Sequence, residues 1–357
     1  MQQNRFLLYG ANGYTGQLIA RHAREYGLEP ILAGRNKEAL ETLSNQLKMP
    51  YEVIGLDEKQ RLQTLLKQVK VVLHAAGPFQ FTAKRMVEAC LQTGTHYVDI
   101  NGDIAVFELL KSFAQAAHEA GIMVLPGAGF DVVPTDCTAL LLKNLLPDAV
   151  SLKLAFATIG GGLSHGTAGT MVSKMGEGGN VRKDGKIIKV PLGQKGFWVD
   201  FGKKKLFVMS IPWGDVSTAH FTTGIGNIET YAGVSPAIYR MLKFQPLFNW
   251  LLRTSVVRNF IKRKIDARAP GPTDEMRSKS LSLVWGQASN AAGQKATVRM
   301  SEPDGYTLTM HSSLIITKKI LHDNFKTGYQ TPASAYGHDL VLEIPGVQRE
   351  IVDSGKL

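Results

Sequence analysis

The chain has 357 residues, a net charge of +11 and two cysteines, Cys90 and Cys137. This length suggests two domains and is ample for a large core. Two cysteines in helical apolar patterns argue against a disulfide scaffold and for buried, reduced thiols. The sequence shows no signal peptide and no run of about 18 apolar residues, so we expect a cytoplasmic protein without a membrane-spanning helix.

A glycine-rich turn follows the first predicted strand. The apolar run from Arg5 to Tyr9 enters three evenly spaced glycines and continues as a helix. In a dinucleotide site the first glycine permits a sharp turn, the second lets the backbone approach a pyrophosphate, and the third lets the helix pack on the strand. The residues expected to hold a dinucleotide here are Gly10, Asn12, Gly13, Tyr14, Thr15 and Gly16.

The end of the second predicted strand indicates which dinucleotide binds. Residues 30–33 are followed by Gly34 and Arg35, with no acidic residue at the strand end. NAD sites usually place Asp or Glu here for the ribose 2′-hydroxyl, whereas an arginine suits the 2′-phosphate of NADP. Arg35 therefore favours NADP(H); the alternative is a solvated arginine at the start of the next helix.

Further predicted strands alternate with helical stretches as far as residue 125, which indicates a parallel sheet. Ligands bind outside the carboxyl ends of the strands in such sheets. Asp57, after the third strand, is placed either to accept from the adenine amine or to cap the next helix. The loops expected to form the rim of the nicotinamide site are residues 75–80, with Ala76, Gly77 and Pro78 near the cofactor, residues 100–103 and residues 126–132.

The same strand argument places two candidate catalytic residues near this rim, Asp131 and Tyr97. Asp131 is equally suited to accept hydrogen bonds within its own turn. Tyr97 stands at the start of a strand, where a core position is the alternative. No metal site is predicted, and the sequence assigns no proton donor beyond these two candidates.

Several of these segments together resemble one protein family. They are Gly10-Ala-Asn-Gly-Tyr-Thr-Gly16, Ala33-Gly-Arg35, Ala76-Gly-Pro-Phe79, Tyr97-Val-Asp99, Gly129-Phe-Asp-Val-Val-Pro134 and, near the chain end, Gln330-Thr-Pro-Ala-Ser-Ala-Tyr-Gly337. This set resembles the saccharopine dehydrogenase-like oxidoreductases, which include trans-acting enoyl reductases. The resemblance implies an NADP-dependent oxidoreductase whose chain end folds back on the nucleotide domain. The first turn departs from the Gly-x-Gly-x-x-Gly of saccharopine-forming enzymes, which argues against saccharopine itself as substrate.

The positive charge is concentrated in the middle of the chain. Residues 151–269 hold 18 Lys and Arg against 6 Asp and Glu, whereas the segments before and after are close to neutral. This distribution indicates one positive region rather than a uniformly basic surface. A solvated face and a funnel for an acidic substrate are both compatible with it.

Part of this region, residues 235–264, reads as a basic amphipathic stretch. It begins with Ser235-Pro236, a cap and first-turn proline, and a break is expected at Pro246. It carries seven Lys and Arg, no acidic residue, and aromatic residues that include Trp250. Such a composition suits an anionic membrane interface or an acyl chain. The alternative is a helix packed on the second domain with Trp250 buried; nucleic acid is not expected, because no recognition module is visible.

The last third is strand-rich. Residues 280–285, 295–300 and 306–310 read as strands separated by turn signals, followed by a helix over about 312–321. We therefore predict an α/β protein with a Rossmann-type doubly wound parallel sheet and a second α+β domain that contains an antiparallel sheet. The predicted divisions are a dinucleotide-binding domain over 1–146, a substrate and dimerisation domain over 147–325, and a C-terminal segment over 326–357 that returns to the nucleotide domain.

The function predicted from these features is NADPH-dependent hydride transfer to a C=C, C=N or C=O bond of a lipid-like or small carbonyl-derived substrate. The alternative is an NADP(H)-binding, membrane-associated scaffold or sensor without turnover. For interaction partners we keep two hypotheses: a second copy of the chain in a homodimer, and an anionic membrane surface.

Overall fold

The computed structural model describes residues 4–174, 176–242, 244, 248–252, 254–267 and 269–354. The expected break at Pro246 lies outside these residues. The elements of the first part are β1 (Arg5–Tyr9), α1 (Tyr14–His22), β2 (Glu29–Gly34), α2 (Lys37–Leu47), β3 (Tyr51–Val53), α3 (Lys59–Leu66), β4 (Val71–His74), α4 (Phe79–Thr93), β5 (His96–Asp99), α5 (Ile104–Lys111), α6 (Ala114–Glu119) and β6 (Met123–Leu125).

The elements that follow are α7 (Val133–Leu145), β7 (Ser151–Ile159), α8 (His165–Ser173), β8 (Gly179–Lys183), β9 (Lys186–Val190), β10 (Gly196–Asp200), β11 (Lys205–Ser210), α9 (Asp215–Thr223), β12 (Asn227–Gly233), α10 (Pro236–Leu242), α11 (Asn249–Leu252), α12 (Ser255–Asp266), α13 (Asp274–Ser278), β13 (Leu281–Ser289), β14 (Lys295–Glu302), α14 (Gly305–Leu321), β15 (Gly328–Tyr329), α15 (Pro332–Tyr336) and β16 (Gln348–Ser354). Within the described ranges, none of these helices has the length and apolar character needed to cross a bilayer.

The contacts divide the chain into two compact units. The first unit contains the described residues up to Val133 together with Gly305–Ile344, and the second contains Pro134–Asp304 and the described residues from Pro345 onwards. The predicted boundary at residue 146 therefore differs from the observed one. The physical reason is that Ala139, Leu142 and Leu146, in and just after α7, share a buried apolar cluster with strands of the second unit.

The first unit is built on a parallel sheet with the strand order β15-β6-β5-β4-β1-β2-β3. The central residues of its inner strands are apolar: Phe6, Leu7 and Leu8 of β1 are all fully buried. Continuous apolar strands of this kind are typical of parallel sheets covered on both faces. Because all strands run in one direction, the loops after β4, β5, β6, β1 and β2 emerge at one edge of the sheet, which confirms the predicted Rossmann-type arrangement.

The second unit contains a mixed sheet with the order β10-β11-β12-β7-β13-β14-β16, and a β8–β9 hairpin that pairs with β12. The central β7 and β12 are parallel, while β7, β13, β14 and β16 pair antiparallel. The predicted hairpin at Asp184-Gly185 is confirmed; both residues adopt positive φ angles, 48° and 78°, as a tight two-residue turn requires.

Two predictions for the last third were wrong in part. Residues 306–310 form the start of α14 rather than a strand, and α14 belongs to the first unit. The chain end does not return to the first unit as one segment. Residues 326–344 do so, and β15 pairs in parallel with β6. Strand β16 instead pairs antiparallel with β14, because its backbone hydrogen bonds extend the sheet of the second unit by one strand.

Candidate functional site

The first turn is held close to two neighbouring strands. Gly10 has a φ of +90°, and its N–H donates to the carbonyl of Ala33 at 2.8 Å. A Cβ atom at Gly10 would lie 2.7 Å from the backbone nitrogen of Ala76, and one at Gly16 would overlap the carbonyl oxygen of Gly10. Only glycine fits either position, because the backbones of β1, α1 and the loop after β4 meet there.

Gly13 has a different environment. It stands at the N-terminus of α1 with φ −74° and ψ 162°, and no side chain caps this helix. A Cβ atom at Gly13 would approach just the Gly10 oxygen, at 3.3 Å. The space over the start of α1 is therefore open, and the positive end of the helix dipole points into it. This cradle fits the pyrophosphate of a dinucleotide, as the sequence predicts.

Arg35 lies directly after β2 and is exposed. Burial raises the pKa of the Tyr9 hydroxyl, the charge of Arg35 lowers it, and the charges of Asp57 and Glu58 raise it further. These three charged groups therefore lie within electrostatic reach of the Tyr9 hydroxyl. Because Gly10 also binds Ala33 two residues before Arg35, the guanidinium and the glycine turn lie at the same edge of the sheet.

The two acidic groups near Tyr9 are each neutralised by an arginine. Asp57 pairs with Arg85 at 2.5 Å, and Glu58 pairs with Arg61. Asp57 does not cap α3, whose N-terminus has no side-chain cap. Arg35 has no ion-pair partner in the described part of the chain, so its charge is available for a ligand phosphate. The assignment of Asp57 to the adenine stays a prediction.

The loop that carries Ala76, Gly77 and Pro78 is held by a buried histidine. His74 is fully buried, and Nε2 of His74 lies 2.9 Å from Oγ1 of Thr82, which donates to the Ala76 carbonyl at 2.9 Å. Burial lowers the pKa of His74 to about 3, so the ring is neutral. The sequence places His74 at the end of a predicted strand. The hydrogen bonds that link it through Thr82 to Ala76 become visible in the structure.

Tyr97 is not at the rim. Its side chain is completely buried in the core of the first unit, and its hydroxyl donates to Oδ2 of Asp99 at 2.6 Å. Burial raises the pKa of Tyr97 well above its usual value, with the Asp99 charge acting in the same direction. The structure therefore supports the core alternative for Tyr97, because a side chain with no exposed surface cannot touch a substrate.

Asp99, which the sequence argument did not single out, joins two of the rim loops. Its Oδ1 accepts from the backbone and side chain of Asn101 at 2.9 and 2.7 Å and from the Gly127 N–H at 2.9 Å. Burial raises the pKa of this carboxyl, while these hydrogen bonds oppose the rise. The loops after β5 and β6 are thus fixed to each other by one buried acid.

Asp131 lies at the junction of the same loops and is half-buried. A Cβ atom at Gly102 would overlap Oδ2 of Asp131, so the carboxyl group packs directly against the backbone of the loop after β5. This position agrees with the predicted rim. Whether Asp131 handles a proton stays a hypothesis.

Helix α14 contributes residues that the sequence analysis missed. Oγ1 of Thr309 accepts from the Phe130 N–H at 3.0 Å, and the Tyr306 ring meets the Tyr14 ring edge to face at 5.0 Å. Ser312 also donates to the Ala128 carbonyl at 2.7 Å. The N-terminal half of α14 therefore supports both the loop after β6 and the first residue of α1.

Comparisons with known proteins show what this chain is similar to. Residues 6–125 match the family model of the saccharopine dehydrogenase NADP binding domain. Over these residues the chain is therefore similar to that family, and the predicted cofactor, NADP(H), is confirmed at the level of the domain. The resemblance inferred from the sequence motifs is likewise confirmed: the chain is similar to saccharopine dehydrogenase-like oxidoreductases.

Particular relatives agree with this class. The chain is 29% identical over 202 residues to a mouse saccharopine dehydrogenase-like oxidoreductase, with 50% of this chain and 47% of the mouse protein covered. It is 30% identical over 138 residues to a trans-acting enoyl reductase of Mycobacterium leprae, with 36% and 33% covered. The matched regions span about half the length of the mouse relative or less.

A solved structure supports the fold over nearly the whole chain. Saccharopine dehydrogenase (L-Glu forming) from Saccharomyces cerevisiae superposes with a TM-score of 0.66 over 98% of this chain and 100% of the yeast chain, at 13% sequence identity. At 13% identity this similarity shows a shared fold and carries no conclusion about a shared activity.

Proposed function

We propose that the protein is an NADPH-dependent oxidoreductase. The observation that carries the proposal concerns Arg35, which is exposed and has no ion-pair partner among the described residues. It lies at the same sheet edge as the open cradle over Gly13. The cradle would hold the pyrophosphate, and Arg35 would hold the 2′-phosphate through charge-assisted hydrogen bonds. When bound, NADPH supplies a hydride for a C=C, C=N or C=O bond.

The protein's own part in the reaction is to position the two reactants. Asp99 and the His74–Thr82 pair hold the three rim loops in place, which fixes the backbone around the position where a nicotinamide would lie. Asp131, at the junction of two of these loops, is our candidate for holding a proton near the reacting atom. Positioning of this kind accounts for a large share of enzymatic rate enhancement.

The rim favours an apolar substrate. Phe81, in the first turn of α4, is 67% exposed, and Phe130 in the loop after β6 is half-buried. Residues 75–81 contain no charged residue, and Asp131 is the single charged residue of the loop 126–132. An apolar wall of this kind suits an acyl chain better than an amino acid. The names of two relatives, a trans-acting enoyl reductase and a lipid droplet localized protein of Caenorhabditis elegans, support a lipid-like substrate.

Transfer of a labelled hydride tests the proposal. The purified protein is incubated with NADPH deuterated at the nicotinamide and with a panel of enoyl thioesters, ketones and imines of short and long chain length. We expect deuterium in the product of an apolar substrate, detected by mass spectrometry, and a slower reaction in Phe81→Ser. Tight NADPH binding without label transfer to any member of the panel would favour the scaffold or sensor hypothesis instead.

A further inference from the structure

The helices of the basic amphipathic stretch expose their apolar side chains. Among the described residues of this stretch, six apolar side chains are more than half exposed: Met241, Phe244, Phe248, Trp250, Val256 and Phe260. Trp250 is 71% exposed, whereas the alternative of a packed helix predicts that it is buried. Monomeric proteins rarely expose apolar patches larger than a few hundred Å² unless the patch binds something.

One face of α12 packs against the second unit, and the opposite face is exposed. Val257, Ile261 and Ile265, spaced by four residues, are half-buried, and α12 packs against α8. Val256 and Phe260, spaced in the same way, lie on the exposed side. Because residues four apart share a helix face, Val256 and Phe260 lie next to each other on the exposed side.

Helix α10 is attached to the same unit. The Tyr239 ring lies 5.1 Å from the Phe207 ring of β11, while Met241 on the same helix is exposed. The exposed apolar residues of α10 and of α12 thus lie on helices that are each anchored on the second unit. We call the exposed side of α10, α11 and α12, with Phe244 and Phe248 between the first two, the helical surface.

Positive charges accompany the apolar residues. Residues 235–264 contain seven Lys and Arg and no Asp or Glu. Lys262, Arg263 and Lys264 are exposed in the last turns of α12, and Nζ of Lys264 lies 4.8 Å from the centre of the Phe260 ring. Among the described ion pairs, one involves this stretch: the Arg258 guanidinium lies 3.8 Å from the Glu177 carboxylate.

We propose that the helical surface docks on an anionic phospholipid bilayer. Apolar and aromatic side chains enter the boundary between headgroups and acyl chains, and the neighbouring Lys and Arg contact lipid phosphates. A second copy of the chain fits less well, because a two-fold interface would bring the positive surfaces of both copies together. Nucleic acid would match the charge but leave the exposed apolar side chains uncovered. This surface does not depend on the NADPH-dependent activity proposed above.

Vesicle co-sedimentation at low and high salt tests the proposal. We expect the wild type to bind vesicles that contain phosphatidylglycerol and to bind pure phosphatidylcholine weakly. In the variant Lys262→Glu, Arg263→Glu, Lys264→Glu, three contacts worth about 1 kcal/mol each are lost, so affinity for anionic vesicles should fall roughly a hundredfold. NADPH affinity should stay unchanged, which separates this test from that of the proposed function.

A matched control lies elsewhere in the second unit. Lys203, Lys204 and Lys205 are also three consecutive exposed lysines, and their reversal to Glu changes the net charge equally. We expect this control to keep vesicle binding. In addition, the wild type should show a blue shift of tryptophan fluorescence on anionic vesicles that Trp250→Phe lacks.

Three outcomes would overturn the proposal. The first is no sedimentation of the wild type with anionic vesicles. The second is an equal loss in both triple variants, which would mean that net charge alone drives the effect. The third is a wild-type dimer in light scattering that Trp250→Ser converts to a monomer, which would assign the helical surface to a second copy of the chain.

Discussion

Oδ1 of Asp99 accepts a hydrogen bond from the backbone N–H of Gly127 at 2.9 Å, which joins the ends of two neighbouring parallel strands. The next residue, Ala128, donates its N–H to the Asp99 carbonyl at 2.7 Å. One residue thus uses both its side chain and its backbone to set the loop after β6 against the loop after β5. Since ligands of parallel sheets bind at this edge, Asp99 determines the shape of the site without facing the ligand.

Replacement of Asp99 tests this role. Asp99→Ala leaves several buried donors without an acceptor, each at a cost of about 1–3 kcal/mol, so the free energy of unfolding and the NADPH affinity should both fall. Asp99→Asn keeps an acceptor for Gly127 and should be milder in both. Tyr97→Phe serves as the control: it removes one donor, should cost about 0.5–1.5 kcal/mol and should keep turnover. Urea denaturation and calorimetry measure these quantities, and loss of turnover in Tyr97→Phe would contradict the core assignment of Tyr97.

Two glycines of the first turn should respond differently to alanine. Gly16→Ala puts a methyl group into the Gly10 carbonyl, so it should destabilise the protein by about 1–3 kcal/mol. Gly13→Ala meets much less crowding in the protein but occupies the phosphate cradle. It should keep the stability and lower NADPH affinity roughly tenfold or more, about 1.4 kcal/mol. Thermal unfolding and calorimetry on both variants distinguish the two effects. Unchanged NADPH binding in Gly13→Ala would mean that phosphate binds elsewhere.

His74 should make the protein sensitive to acid. Its folded pKa is depressed to about 3 by burial, while the unfolded chain has an imidazole pKa of about 6.5. Above that value both states are neutral and the stabilisation is fully present. As the pH falls from about 6.5 towards 3, the unfolded state takes up a proton that the folded state does not, so stability declines by up to about 1.4 kcal/mol per pH unit.

The variant His74→Gln isolates this contribution. It lacks the titrating ring, so its unfolding free energy should decline less steeply over the same pH range, whatever its stability at neutral pH. Urea denaturation at several pH values supplies the two slopes. Equal slopes in the two proteins would show that His74 does not titrate on unfolding.

Much of the first unit could be predicted because its signals are local. The glycine spacing after β1 and the absence of an acid next to Arg35 both lie within a few residues of the element they describe. The parallel sheet follows from the alternation of apolar strands and helices, which needs no knowledge of distant contacts. The fold confirms the parallel sheet, and the family comparison confirms NADP(H) as the cofactor of this domain; the individual residues that hold the cofactor stay predictions.

Helix α14 could not be predicted in full because it is buried on most sides. Leu308, Thr309, Met310, Ser312 and Ser313 are all buried, so the helix shows no polar face with a period of 3.6 residues. The alternation of Thr with Leu and Met over 307–310 instead suggests a strand. Burial of these small polar residues depends on close approach to other elements of the first unit, which local sequence does not reveal.

The pairing of β16 with β14 and the role of Asp99 are likewise set by long-range contacts. Ile351 of β16 lies opposite Val298, a partner about 50 residues away in sequence. In the sequence, Asp99 is an acidic residue at the end of a predicted strand with no further signal. Its hydrogen bond to Gly127 depends on the pairing of β5 with β6 in the sheet. The residues that shape the site are therefore harder to find from sequence than those that form its glycine turn.

The measurement that tests the central claim most directly is a calorimetric comparison of NADPH and NADH binding. If Arg35 holds the 2′-phosphate, the wild type should bind NADPH more tightly by about 1.5–3 kcal/mol, roughly ten- to a hundredfold. Arg35→Asp should reverse that preference, whereas Lys67→Asp, an equal charge change on an exposed residue at the end of α3, should preserve it. Equal affinities for NADPH and NADH in the wild type, or an unaltered preference in Arg35→Asp, would contradict the account.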